Sequence, residues 1–133
     1  MSLLNTMEIS ASGLTAQRLR LDIIANNLAN VETTRTNDGG PYRRQVPVFR
    51  EILDQFTGTL KGVEVIRIIR DNSPFRMVYD PGHPDANPEG YVLYPNVNPI
   101  IEMTDMISAT RSYEANLTHI TSAKSMFLKA LEI

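Results

Sequence analysis

The 133-residue chain carries 13 Lys+Arg against 15 Asp+Glu, a formal net charge of -2, and its apolar fraction of 42% and charged fraction of 21% are those of a folded globular chain. No basic run is longer than the pair Arg43-Arg44, which argues against nucleic acid as a partner. With no cysteine, disulfides, thiolate metal sites and thiol catalysis are excluded as well.

The start, Met1 to Glu8, has no charged segment leading into an apolar run, so no cleavable secretory signal is expected. No window nears the roughly 18 apolar residues of a membrane span, so no direct membrane insertion is expected either. From about Ser2 to Asn30 the residues Leu4, Met7, Ala11, Leu14, Leu21, Ala25 and Leu28 recur in steps of three and four, broken at Arg18. This predicts a helix with a narrow coiled-coil-like seam. Ser10, Ser12, Gly13 and Thr15 weaken its middle.

The helix closes on Ala25-Asn26-Asn27-Leu28-Ala29-Asn30, three amides in five positions. Asn is a mediocre helix former because its side chain competes for backbone hydrogen bonds. With Leu28 at the centre of the core-facing side, Ile24, Ala25 and Val31 share that side, and Asn26 and Asn30 point the other way. The plain reading of the amides is a polar solvent face with a C-cap; the sharper one is a surface for another molecule.

Residues 32–41 carry turn formers and no periodicity and read as a loop. Tyr42 to Phe49 reads as a strand that Pro47 restricts to an edge, and Ile52 to Thr57 is ambiguous. Val63 to Arg70 is the best strand pattern, but Val63 and Val65 are out of phase with Ile66 and Ile68, which predicts a bulge or burial on both faces. Asp71 to Pro74 is a turn, Phe75 to Tyr79 a short strand, and Asp80 to Gly90, with three prolines, a shaped loop. Tyr91 to Tyr94 is the last strand. Asn98-Pro99 then starts a second helix, an amide N-cap with Pro at the first position. Its seam is Met103, Met106, Thr110, Tyr113, Leu117, Ile120, Lys124, Phe127 and Leu131, with no Gly or Pro after residue 99.

These elements predict an α+β chain: long antiparallel terminal helices forming a coiled-coil-like domain from residues 1–31 and 99–133, and a small β-rich middle of residues 32–98. The intramolecular seam is expected to be Leu4, Met7, Leu14, Leu21 and Leu28 against Met103, Met106, Leu117, Ile120, Phe127 and Leu131. Pairing Leu28 with Met103 sets Leu14 opposite Leu117, and brings Arg18 near Glu114 and Glu8 near Lys124. Two such seams alone bury too little apolar surface to hold the helices, so ordering by packing into an assembly is expected.

Ile23 to Thr33, including Ala25 to Asn30, resembles the motif shared by the axial proteins of the bacterial flagellum. Tyr79 to Val92, Pro95-Asn-Val-Asn98, Glu102 to Asn116 and Ala123 to Met126 are most similar to the short proximal-rod members of that family. The resemblance implies a structural subunit of the basal-body rod, exported by the flagellar type III apparatus without a cleaved signal. It also implies polymerisation with copies of itself and other rod proteins into a hollow helical tube across the periplasm, a drive shaft transmitting torque for motility. Under it, Asn26, Asn27, Leu28 and Asn30, with Arg111, Tyr113 and Asn116, become candidate subunit contacts.

No catalytic residue, metal or cofactor is expected. Asp80, His83 and Asp85 could form a metal site, but in a proline-rich loop they more often make turns and hydrogen bonds. The alternatives are a small metal-dependent hydrolase centred on His83 and an independent coiled-coil adaptor. His119 reads as a helix-surface residue, and no serine sits in Gly-x-Ser-x-Gly.

Overall fold

The computed structural model describes residues 2–133, and the elements follow the order α1 (Leu3–Ala29), β1 (Gln45–Leu53), β2 (Leu60–Arg70), β3 (Arg76–Tyr79), β4 (Tyr91–Tyr94) and α2 (Pro99–Leu131). The chain is α+β. Ser2 opens α1, its Oγ accepting from the Asn5 amide at 3.1 Å, and Asn30 closes it. Asn98 opens α2 as predicted, accepting from the Ile100 amide at 3.0 Å with Pro99 at the first helical position. At about 1.5 Å per residue the helices are roughly 40 and 50 Å long.

The helices touch at Ser10 with His119, at Gly13 with Asn116 and at Asn27 with Glu102, so positions that rise along α1 fall along α2. Each pair adds to 129, two short of the register expected from Leu28 and Met103. The buried residues of the pair are mostly small: Ser10, Gly13 and Ala16 on α1, Ala109 and Ala123 on α2. A Cβ at Gly13 would lie 2.8 Å from the Asn116 amide nitrogen, which shows how closely the helices approach there.

The expected seam of large side chains is therefore not the buried face. Leu4, Met103, Leu117, Phe127 and Leu131 are exposed, while Met7, Leu14, Leu21, Leu28, Met106 and Ile120 are half-buried. At 100° per residue the buried residues of α1 centre about 100° from the Leu14/Leu21/Leu28 row. A three/four spacing identified an apolar row on α1 but not its partner. Neither expected ion pair forms among the described residues; Arg18, Glu114, Glu8 and Lys124 are all exposed.

β1 and β2 form an antiparallel hairpin, Gln45 opposite Arg70 through Leu53 opposite Leu60. The register slips between Val48/Arg67 and Phe49/Val65, leaving Ile66 as the extra residue, the bulge predicted from the phase change at that point. The strand begins later than Tyr42 and takes in Ile52 and Leu53 from the ambiguous segment. At the tip Asp54 accepts from the amides of Phe56 and Thr57, and Gly58 turns at φ 68°.

The hairpin lies along α1 and is held at two points. Gln45 meets Asn27, and Val63 donates its amide to Ser12 Oγ at 3.0 Å. From Asn27 to Ser12 is about 22 Å of helix. From Gln45 to Ile52, the residue paired with Gly62, is about 23 Å of strand, so the two rises match. β3 and β4 form a second antiparallel pair, Tyr79 edge-on to Tyr91 with ring centroids 5.3 Å apart, and Val92 is fully buried. The loop joining them uses His83 internally: its Nδ1 accepts from the Asp85 amide at 3.0 Å.

Candidate functional site

Five segments converge where α1 ends and α2 begins. Asn27 and Glu102 are each 1% exposed, buried polar groups whose desolvation must be met by partners. The Asn27 amide donates to Gln45 O at 2.9 Å and to Glu102 Oε2 at 3.3 Å, and its Oδ1 accepts from Gln45 N at 3.0 Å and Tyr42 Oη at 2.7 Å. All its hydrogen-bonding capacity is used. Glu102 Oε1 takes the Nε of Arg44, whose remaining nitrogens lie 3.4 Å from Asp71 and 3.6 Å from Asp105.

The strands explain this convergence. Consecutive residues of a strand point their backbone groups to opposite edges. Arg44 O accepts from Asp71 N on the β2 side, so Gln45 turns both its polar groups toward α1, where Asn27 receives them. Asn96 completes the junction, accepting from the Arg44 amide at 2.8 Å and donating to the carbonyls of Asp71 and Ser73. An acid in the first turn of α2 also suits the positive end of that helix.

Charge is well matched here. Burial works against the Arg44 charge, but Glu102 and Asp71 outweigh it and raise the Arg44 pKa. Asp71 is held below its ordinary value first by the Ser73 hydroxyl and amide and then by Arg44. Burial raises the Tyr42 phenol.

Of the sequence candidates, the structure brings Asn26, Asn27 and Asn30 to this end of α1, but in different roles. Asn27 is interior and bonded within the chain, so its outward surface contact is corrected: it lies beside the buried Ile23 and Ile24, not with the exposed Asn26 and half-buried Asn30. Asn26 is exposed and donates to Tyr42 Oη at 3.1 Å; Asn30 donates back to Asn26 O at 2.8 Å. Leu28 is half-buried. Asn116 packs over Gly13, Tyr113 is half-buried and Arg111 is exposed. The sequence reading missed Tyr42, Arg44, Glu102 and Asn96 as a group, because their partners lie from 15 to 75 positions apart. Only Glu102, an acid one turn into a helix otherwise apolar at that end, was a local signal.

From this junction onward α2 carries apolar residues left exposed among the described residues. On α2, Ile100, Met103, Ile107, Leu117, Leu128 and Leu131 are all exposed. At 100° per residue they form one row about 110° around from the side facing α1.

Residues 7–35 match the family model described as flagella basal body rod protein, and residues 89–133 match that of the flagellar basal body rod FlgEFG protein C-terminal region. The chain is similar along its whole length to proteins named flagellar basal-body rod protein FlgC. It is 49% identical to that of Borreliella burgdorferi, covering 100% of this chain and 98% of the relative. The Bacillus subtilis protein is 45% identical, with 100% and 99% covered, and the Salmonella typhimurium protein 42%, with 100% and 98%.

Proposed function

The chain belongs to the FlgC family of flagellar basal-body rod proteins, and we propose that it works as a structural subunit whose uncovered helix faces pack against neighbouring rod subunits. It is not an enzyme; the hydrolase and free-adaptor alternatives have no support. The observation that carries the packing is the second apolar row of α2, from Ile100 to Leu131, left exposed beside the side that meets α1. A helix with apolar residues on two sides needs two partners.

On this reading residues 1–31 and 99–133 are an antiparallel, coiled-coil-like assembly domain, and residues 32–98 a middle domain carried on it. The pairwise contacts between the helices support the antiparallel arrangement. Copies of this chain and other axial proteins complete a helical tube that transmits torque for motility. The type III export route and the periplasmic place of the rod are expectations that rest on family membership. Asn26, Asn30 and Arg111 are proposed as polar contacts between subunits, and the exposed flank of Leu28 as an apolar one.

Imaging of basal bodies purified from cells that carry a tagged copy of this chain tests the reading. The tag is expected within the rod. Complete rods recovered without the tagged chain would overturn it.

A further inference from the structure

We infer that Asn27 and Glu102 are positioning residues: the Asn27 amide serves as the edge partner of β1, and Glu102 helps fix which way that amide faces. An apolar side chain at position 27 would be cheaper to desolvate. What an amide adds is direction.

Gln45 presents one donor and one acceptor on its free edge, and Asn27 meets both, accepting at 3.0 Å and donating at 2.9 Å. This is the exchange by which one strand residue faces another across an antiparallel pair. A side chain of α1 thus stands where a third strand would be, and the hairpin takes its orientation from the helix. Turning the amide over would set its Oδ1 against the Gln45 carbonyl and the Glu102 carboxylate, and its Nδ2 against the Gln45 N–H. Glu102 and the Gln45 backbone together exclude that state. The second Glu102 oxygen holds Arg44, the residue next to Gln45, so Asn27, Glu102, Arg44 and Gln45 close a ring joining α1, α2 and β1. The ring has only one orientation that satisfies every member.

The test exchanges the two chemistries. Asn27→Asp sets a second carboxylate against Glu102, whereas Asn27→Asp with Glu102→Gln restores one amide and one carboxylate in swapped positions and re-forms three of the four bonds. The variants are expressed in a flagellated strain lacking its own copy, in which the unaltered chain is first shown to restore swimming. Swimming expansion is expected to fall about tenfold in Asn27→Asp and to recover most of that in the double variant.

In the purified full chain, the Gln45 amide is expected to exchange hydrogen faster in Asn27→Asp and to slow again in the double variant. Tyr42→Phe, which removes the phenol bond to Oδ1 and with it the exposed bond from Asn26, is expected to speed Gln45 exchange about threefold. It decides the matter if Asn27→Asp does not fold. A double variant no better than the single one, or Gln45 exchange unchanged in Tyr42→Phe, overturns the inference and leaves the subunit reading standing.

Discussion

Asn27 stabilises through bonds that no other side chain of its size makes together. Its replacement by Ala leaves Gln45 N and O without their partner inside the protein, and the Tyr42 hydroxyl with only the exposed bond from Asn26. Unmade buried bonds cost more than made ones contribute, so Asn27→Ala is expected to destabilise by about 3 kcal/mol, read from the shift of a urea midpoint. Asn26→Ala removes two exposed bonds, one to Tyr42 and one from Asn30, and is expected to cost less than about 0.5 kcal/mol. The contrast between neighbours separates the interior amide from the surface one.

Acid acts on the same junction through Asp71. Ser73 and Arg44 hold its folded pKa below the ordinary value of 3.8. Its stabilising contribution is therefore complete above that value and lost as pH falls through the folded pKa. Asp71→Asn is expected to flatten the acid limb of a stability curve below about pH 4 and to leave its shape near neutrality unchanged. Thermal melting across the acid range measures this. At this scale the sequence made the amide cluster conspicuous, since three Asn residues at a helix end are unusual. It could not assign the inward one, because Gln45 and Glu102 reach Asn27 only through the fold.

Elements were more legible than their packing. The Asn98-Pro99 start, the strand at Tyr91 to Tyr94 and the bulge at Ile66 follow from neighbouring residues alone. The buried face of α1 does not, because the hairpin as well as α2 covers it, and small residues rather than leucines permit both approaches. Gly62 shows how tight this is. A Cβ there would lie 2.8 Å from Ser12 Cβ, and Ser12 Oγ is already committed to Ile9 O and Val63 N. Gly62→Ala is expected to destabilise by about 2 kcal/mol, measured in urea, by pushing the hairpin off the helix at its second anchor. The glycine directly precedes the Val63 to Arg70 pattern in the sequence; its contact with Ser12, 50 positions away, was not visible there.

At the scale of the molecule the surface is the informative quantity. A compact monomer of this mass exposes roughly 7,000 Å², whereas this chain exposes 9196 Å². The excess is comparable to a specific protein interface of about 1,600 Å² or more. Part of it lies on the α2 row, where Met103 and Leu128 are 54% and 50% exposed. If the row only faced solvent, charging it would be neutral or helpful in every assay. If it packs against neighbours, stability of the isolated chain and incorporation must separate. Met103→Glu with Leu128→Glu is expected to move the urea midpoint of the purified chain by less than about 0.5 kcal/mol equivalent. The same pair is expected to abolish incorporation into basal bodies, because burying a carboxylate without a partner at each repeated contact is costly. Undiminished incorporation of the double variant would mean that the row lies outside the assembly and that the excess surface serves another face, with the exposed apolar residues of the hairpin, Phe56 at its tip among them, next to be charged.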